Sequence, residues 1–258
     1  MPMIQIEKLS KVFLQEKEKK EKAPVKVLNN VSMNIEKGEF VTFFGPNGCG
    51  KSTFLHLISG LHQPTAGKIG VNNKTVEEAK VGFVFQDYSG SIFPWRTVSG
   101  NVEFGLEVQG VPKEKRRKMA REFMGKLNLT EHSNKYPYQL SGGLKQLTAI
   151  ARALVYDPDI FVLDEPFSAL DYQTTRRMWL ELLRVWKDLE KTTLFVSHFV
   201  DEAVFLADRV VVFSKSPARI MGEVLVDLGR PRKLEMLQSR KFFALRNRVL
   251  KLFEEGLK

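Results

Sequence analysis

The octapeptide Gly45-Pro-Asn-Gly-Cys-Gly-Lys-Ser52 constrains this chain of 258 residues more than any other feature. It fits the pattern G-x-x-x-x-G-K-[ST] of the phosphate-binding P-loop, which lies between a buried strand and a helix. Both flanks are present, because Phe40 to Phe44 is strongly apolar and the residues from Lys51 to Leu61 place apolar side chains at helical spacing. The sequence therefore predicts a strand, a glycine loop and a helix in that order.

The residue types of this loop suit the binding of a nucleotide. Glycines let the backbone bend so that successive N–H groups face the phosphates at the positive end of the following helix. We expect Lys51 to reach the β- and γ-phosphates and the Ser52 hydroxyl to ligate Mg²⁺. Cys49 could be a reactive thiolate at a helix N-terminus, but a small side chain in a backbone-binding loop is the favoured interpretation. The other predicted nucleotide contacts here are Gly45, Pro46, Asn47, Gly48, Gly50 and Thr53.

Strands and helices alternate along the rest of the chain, which predicts an α/β fold with a mainly parallel core sheet covered on both faces. A mainly helical insertion is predicted over about 94–155, and a basic helical tail over 233–258. At the N-terminus, the charged run from Gln15 to Pro24 has little reason to pack and is predicted to be exposed. The predicted strands are 3–13, 25–35, 81–85, 160–163, 194–196, 210–213 and 220–226, and the predicted helices include 111–129, 144–156 and 174–190.

Two adjacent carboxylates, Asp164 and Glu165, end a buried apolar strand, where their charge requires compensation. Bound Mg²⁺ would compensate it, with Asp164 holding the metal or one of its waters and Glu165 acting as general base on the attacking water. An Asp-Glu pair after a strand often only begins a helix. The P-loop upstream favours the metal interpretation here.

The tetrapeptide Leu140-Ser-Gly-Gly143 precedes a helical pattern. Ser141 could cap that helix while Gly142 and Gly143 expose backbone N–H groups, so the turn is a second candidate phosphate site. An ordinary helix cap is the simpler alternative for the tetrapeptide alone. Its position between the P-loop and the Asp-Glu pair favours phosphate binding.

Composition narrows the class of protein. No stretch approaches the roughly 20 apolar residues of a membrane-spanning helix, no signal peptide is recognisable, and the single cysteine cannot form an internal disulfide. A folded protein of the cytoplasm is therefore expected. The formal net charge of +10 raises nucleic acid or an anionic membrane face as partners, but the charge is spread, which favours solvated faces.

Taken together, these residues resemble the nucleotide-binding subunits of ATP-binding cassette (ABC) transporters over nearly the whole chain. Residues 45–52 resemble the Walker A motif, 140–143 the signature motif and 160–165 the Walker B motif. The resemblance implies a P-loop NTPase domain over 1–232, with an N-terminal antiparallel β subdomain and an inserted helical signature subdomain. It also implies that Gln86 is the Q-loop glutamine, active in catalysis and Mg²⁺ binding, Asp171 the D-loop residue and His198 the catalytic switch histidine. Phe13, which could equally be a core aromatic, is implied to stack on adenine.

The resemblance further implies ATP and Mg²⁺ as cofactors and a head-to-tail dimer, with ATP held between the P-loop of one subunit and the signature motif of the other. The implied partners are a second ATPase subunit in a homodimer, transmembrane permease subunits and, indirectly, an extracytoplasmic solute-binding protein. The implied location is peripheral, on the cytoplasmic face of the cell membrane. No nucleic acid is expected, because ABC proteins that act on it usually carry two fused cassettes or coiled-coil insertions.

Three segments resemble the nitrate, sulfonate and taurine group of importers: Phe93 to Val98, Asp201 to Val210, and Arg230-Pro-Arg232. An importer is favoured, with an exporter or lipid-trafficking cassette, or a soluble ABC protein acting on nucleic acid or ribosomes, as alternatives. The chain departs from the family at Leu144 and Leu147, where the signature usually continues with polar and basic residues, and at Phe199, where these importers commonly carry Asp. None of these removes a residue needed for hydrolysis, so an active ATPase is predicted, whose turnover the departures could slow.

Overall fold

The computed structural model describes residues 2–16, 22–87 and 91–258. These residues form two compact units, one made of 1–79 with 192–258 and the other of 80–191. Residues 17–21, the centre of the charged run discussed above, lie outside the described residues. No helix in the described ranges combines the length and the apolar character that crossing a membrane requires.

A four-stranded antiparallel sheet opens the first unit and confirms the predicted N-terminal β subdomain. Its first two strands are those predicted from the sequence, whereas the other two were not predicted, since they are mostly exposed and lack apolar alternation. The Asn72-Asn73 pair between these strands was the available turn signal, and both residues adopt positive φ, 49° and 60°. In spatial order the strands are β2 (Lys22–Ile35), β1 (Ile4–Glu16), β4 (Ala66–Val71) and β5 (Lys74–Thr75).

The segment 15–24 was predicted to be an exposed excursion, but its two described ends are paired as strands. Strand β1 continues to Glu16 and β2 begins at Lys22, with Leu14 opposite Pro24 and Glu16 opposite Lys22. Composition alone suggested that nothing here would pack. Backbone pairing across an antiparallel hairpin requires no apolar side chains, so the two strands extend into the charged sequence.

The second sheet segment of the first unit carries the glycine loop. Its strands are, in spatial order, β10 (Ile220–Leu225), β9 (Arg209–Phe213), β3 (Phe40–Phe44) and β8 (Thr192–Ser197). Strand β3 pairs in parallel with both β8 and β9, whereas β10 is antiparallel to β9. The helix that follows the loop is α1 (Lys51–Ile58). Phe43, Phe54 and Phe213 pack together with ring centroids 5.0 to 5.9 Å apart, which fixes α1 against the sheet.

The basic tail folds onto this first unit. A short 3₁₀ helix, Leu234–Gln238, leads into the long tail helix, whose N-cap Ser239 accepts a hydrogen bond from the N–H of Phe242. Phe242 and Val249 are buried, and the Phe253 ring lies 5.1 Å from that of Phe44 at the end of β3.

The second unit contains a parallel strand pair and the helices of the predicted insertion. Tyr156 donates a 2.8 Å hydrogen bond to the carbonyl of Val81, and Gly82 lies so close to the Ala153 carbonyl that any Cβ would collide with it. The strands of this unit are β6 (Val81–Val84) and β7 (Ile160–Asp164), and its α-helices are α2 (Val98–Val108), α3 (Lys113–Lys126), α4 (Gly142–Leu154) and α5 (Tyr172–Leu189). The remaining α-helices of the first unit are α6 (Val200–Leu206) and the tail helix α7 (Arg240–Gly256). The predicted α/β class with a mainly parallel sheet is therefore confirmed.

Candidate functional site

The glycine loop in the first unit has the backbone that anion binding requires. Gly48 and Gly50 adopt φ of 71° and 116°, values that L side chains rarely reach, and a Cβ on Gly45 would lie 3.0 Å from Phe213. Helix α1 begins at Lys51, and no side chain caps its N-terminus. The N–H groups at a helix N-terminus point outward along the axis, so this uncapped end is suited to phosphate oxygens.

The ammonium group of Lys51 is held inside this loop. Its Nζ donates 2.9 Å hydrogen bonds to the carbonyls of Gly45 and Pro46, and the residue is only 4% exposed. Asn47 and Gly48 at the tip are exposed, whereas Ser52 and Thr53 are half-buried in the first turn of α1. A buried cation beside the N-terminus of a helix fits the phosphates of a nucleotide.

Cys49 lies in the same loop but is almost fully buried. Burial raises the pKa of its thiol, and the opposing charge of Lys51 only partly offsets this effect. The thiol form is therefore favoured at neutral pH, which disfavours a reactive thiolate. The interpretation of Cys49 as a small side chain in a backbone-binding loop stays the preferred one.

Phe13, the predicted adenine-stacking residue, is half-buried on β1. The His62 ring meets it edge-on with centroids 5.8 Å apart, and the Lys11 ammonium lies 4.8 Å from its ring centroid. The described neighbours do not enclose the ring on every side, so stacking on adenine stays a prediction.

His198, the predicted switch histidine, follows β8 in the same unit. The Ser197 hydroxyl before it contacts the buried carboxylate of Glu202 and accepts a 3.0 Å hydrogen bond from the N–H of Phe199 after it. Phe199, the departure from the family, is 51% exposed, and its ring centroid lies 3.9 Å from that of His198. The Ser197 side chain therefore links the residue after His198 to the carboxylate of Glu202. Sequence reasoning gave Glu202 no role, since a single carboxylate early in a helix carries no signal of its own.

The carboxylate pair lies in the second unit at the end of β7. Asp164 is 4% exposed, and Glu165 adopts φ of 45°, a conformation that costs about 1–3 kcal/mol for a residue other than glycine and clusters at active sites. Gln86 Nε2 donates a 3.2 Å hydrogen bond to Glu165 Oε2. The structure therefore brings together two of the predicted catalytic residues, the general base and the Q-loop glutamine.

The signature tetrapeptide begins α4 in this second unit, as predicted. Ser141 is the N-cap and accepts a hydrogen bond from the N–H of Leu144. Gly143 is buried, with Thr174 3.1 Å from where a Cβ would lie. Leu147 points into the core at 7% exposure, whereas Leu144 is half-buried, so the two leucines that depart from the family pattern differ in their environment.

Asp171, the predicted D-loop residue, caps helix α5. Its carboxylate accepts hydrogen bonds from the N–H and the hydroxyl of Thr174, at 3.0 and 2.6 Å. These bonds, the hydroxyl first, lower the pKa of Asp171. The side chain is therefore ionised and oriented at neutral pH.

The predicted site residues are divided between the two units. The P-loop, Phe13 and His198 belong to the first, while Gln86, the carboxylate pair, the signature motif and Asp171 belong to the second. Of the predicted Mg²⁺ ligands, Ser52 lies in the first unit and Gln86 and Asp164 in the second, so their joint coordination of the metal stays a prediction. No group of three or more His, Cys, Asp or Glu residues in the described ranges is arranged to hold a metal.

An α/β fold with a glycine loop, a buried lysine and a strand-ending Asp-Glu pair defines a P-loop nucleoside triphosphatase. The family model described as ABC transporter matches residues 28–168. An uncharacterized ABC transporter ATP-binding protein of Methanocaldococcus jannaschii is 45% identical over 255 residues, covering 96% of this chain and 93% of that protein. The chain belongs to the ABC transporter family as an ATP-binding, ATP-hydrolysing subunit.

The chain is also similar to an import ATPase and to a solved ATP-binding cassette. A nitrate import ATP-binding protein of a Synechocystis strain is 44% identical over 227 residues, covering 87% of this chain and 83% of that protein. A dimeric ATP-binding cassette solved in a post-hydrolysis state with ADP and Pi matches with a TM-score of 0.75 and 31% identity, covering 88% of this chain and 100% of that one. The fold is therefore that of an ATP-binding cassette whose structure was solved with the hydrolysis products ADP and Pi bound.

Proposed function

We propose that this protein is the ATPase subunit of an importer of the nitrate, sulfonate and taurine type, which couples ATP binding and hydrolysis to solute uptake. The observation that carries the proposal is the 44% identity, over 87% of the chain, to a nitrate import ATP-binding protein. The residues that hydrolyse ATP cannot distinguish import from export, because importers and exporters share the same catalytic residues. The direction of transport therefore rests on this similarity, and the solute itself stays open.

Different residues of the chain would bind the phosphates, activate the attacking water and contact the γ-phosphate. The P-loop N–H groups and Lys51 would hold the phosphates, Glu165 would accept the proton of the attacking water, and His198 would contact the γ-phosphate. The hydrogen bond from Gln86 orients the Glu165 carboxylate. Mg²⁺, when bound through Ser52, Gln86 and Asp164, would supply charge neutralisation at the β- and γ-phosphates. The buried Asp164 fits this role, since a buried carboxylate is costly without a compensating charge.

The proposed partners are a second copy of the chain and the permease subunits, which place the protein on the cytoplasmic face of the membrane. The dimeric state of the matching cassette supports the first partner. Trp95 supports the second, because it follows the Q-loop and is 71% exposed. Tryptophan is enriched at protein interfaces and among the residues that contribute most to binding. Its exposure is also unlike that of a plain packing residue.

The test is a pull-down of the tagged protein from its native membrane in mild detergent, with mass spectrometry of the recovered proteins. We expect a permease with several membrane spans together with an extracytoplasmic solute receptor. Recovery of a permease without any receptor would favour the export alternative. Recovery of ribosomes or nucleic acid without a permease would overturn the transport proposal and leave the ATPase chemistry in place.

A pair of variants tests whether Trp95 contributes to the contact with the permease. Trp95→Ala should reduce permease recovery at least several-fold, because an aromatic anchor at the centre of an interface often contributes more than 2 kcal/mol. Leu225→Ala is the matched control, since Leu225 is 68% exposed and lies on β10. Equal recovery with both variants would remove Trp95 from the proposed docking surface.

A further inference from the structure

A polar pocket of about 590 Å³ lies between α2 and α3 in the second unit. Helix α3 lines it with Lys113, Arg117 and Arg121, which are four residues apart on one helix face, and with Arg116, three residues after Lys113. Hydroxyl and amide side chains from α2 and the 130–134 segment complete the wall, and Met124 is the one large apolar residue in the lining. This lining suits a charged ligand and disfavours an apolar one.

The pocket is strongly cationic. Five cationic and two anionic side chains line it, a net formal charge of +3. Both carboxylates are already engaged, since Arg96 pairs with Glu107 at 2.7 Å and Arg116 pairs with Glu103 at 3.3 Å. The hydrogen bond from Arg96 also lowers the pKa of Glu107, so this pair is ionised at neutral pH. These two ion pairs fix the guanidinium groups of Arg96 and Arg116 in place.

The other three cations are available to a ligand. Lys113 and Arg121 form no ion pair within the described part of the chain. The contact of Arg117 with Glu114 is 3.7 Å long and involves a carboxylate that is 87% exposed, where solvent weakens such pairs. Like charges gathered in a concave wall repel one another unless an anion lies between them.

We propose that this pocket binds a phosphate-bearing anion through Lys113, Arg117 and Arg121. Guanidinium groups bind phosphate with two parallel hydrogen bonds, and a lysine adds a mobile point charge. The volume lies within the range of small-molecule sites, roughly 300–1,000 Å³. None of the lining residues is a predicted ATP contact, so this is a second anion site. Free phosphorylated metabolites and phospholipid headgroups share the required chemistry.

Pyrophosphate is the first probe, titrated into the isotope-labelled protein while backbone amide shifts are followed by NMR. This readout separates the pocket from the P-loop, because the two sites lie on different residues. We expect saturable shifts around residues 113–121 and 130–134. The double variant Lys113→Gln/Arg121→Gln should weaken this response at least tenfold. Lys115→Gln/Lys118→Gln is the matched control, since it removes the same charge from exposed positions of α3 outside the pocket.

Vesicles of phosphatidylcholine with phosphatidic acid are the second probe, in a flotation assay with the same variants. Pyrophosphate binding that the pocket variant alone abolishes would support a soluble ligand. Vesicle binding without pyrophosphate binding, again lost only in the pocket variant, would support a lipid headgroup. If neither probe responds, or if the control variant loses as much binding as the pocket variant, the proposal is wrong. ATPase turnover of the pocket variant should stay unchanged in the absence of either probe.

Discussion

The Ser197 hydroxyl donates a 2.5 Å hydrogen bond to the carboxylate of Glu202, which is only 3% exposed. The same hydroxyl accepts from the N–H of Phe199, so it connects the residues on both sides of His198. Glu202 lies in the first turn of α6 and is anchored by that helix. We therefore expect Ser197 to position His198, the predicted switch histidine, in a chain that has Phe199 where the resemblance to these importers predicts Asp.

Ser197→Ala should lower kcat while leaving the affinity for ATP unchanged. Loss of one positioned hydrogen bond of about 1 kcal/mol corresponds to about a fivefold fall in kcat. Steady-state ATPase kinetics measure both parameters, and Ser197→Thr should restore turnover because it restores the hydroxyl. Ser239→Ala is the control, since it removes a comparable bond at the start of α7. An equal loss of kcat in that variant would assign the effect of Ser197→Ala to stability.

Glu165→Gln should abolish turnover and preserve ATP binding. A general base typically contributes 10²- to 10⁴-fold to the rate, and the glutamine amide is isosteric but cannot accept the proton. The expected product is a stable ATP-bound dimer, measured by size-exclusion chromatography with light scattering. Lys51→Ala should behave differently and weaken nucleotide binding itself. Wild-type turnover in Glu165→Gln would show that another group is the base.

The fold was predictable where the chain has a strong local pattern. Strand β3 has the predicted bounds, because five consecutive buried residues precede the glycine loop. The capped starts of α4 and α5 also follow short polar signals at Ser141 and Asp171. Strands β4 and β5 were missed because their side chains are mostly exposed, so that backbone pairing, and not hydrophobic periodicity, holds them in place.

The site was predictable as a set of residues but not as a set of contacts. Motif order identifies Gln86 and Glu165, yet nothing in 78 intervening positions indicates that their side chains share a hydrogen bond. The roles of Glu202 and Thr174 depend on three-dimensional contacts to Ser197 and Asp171. Such supporting residues have no motif of their own, because many polar side chains could supply the same bond.

Gln146→Met should raise the free energy of unfolding by about 1–3 kcal/mol. Gln146 lies on α4, is fully buried, and neither its amide nitrogen nor its oxygen has a hydrogen-bond partner among the described residues. Methionine has a similar length and removes the unpaired polar atoms. Urea unfolding measures the change, with Thr148→Val as the control, because the Thr148 hydroxyl is already satisfied by the Leu144 carbonyl. Destabilisation by Gln146→Met would show that the amide binds water or a partner.

Thr174→Val should raise the pKa of Asp171 toward its ordinary value of 3.8. The valine keeps the shape of the side chain but removes the 2.6 Å hydroxyl bond to Asp171 Oδ2, while the N–H bond to Oδ1 remains. Because the folded pKa lies below the unfolded one, the stabilisation is complete above pH 3.8 and is lost as the pH falls through the folded pKa. The stability difference between wild type and variant should therefore be largest near neutral pH and shrink in acid.

An NMR titration of the Asp171 carboxyl carbon measures the pKa shift, and urea unfolding at neutral and acidic pH measures its effect on stability. Thr175→Val is the matched control, because its hydroxyl contacts the Leu170 carbonyl and not Asp171. An unchanged pKa in Thr174→Val would mean that the backbone N–H alone orients this carboxylate. In that case the capping N–H of α5, which every variant at position 174 except proline retains, would be sufficient to keep Asp171 ionised at the predicted D-loop.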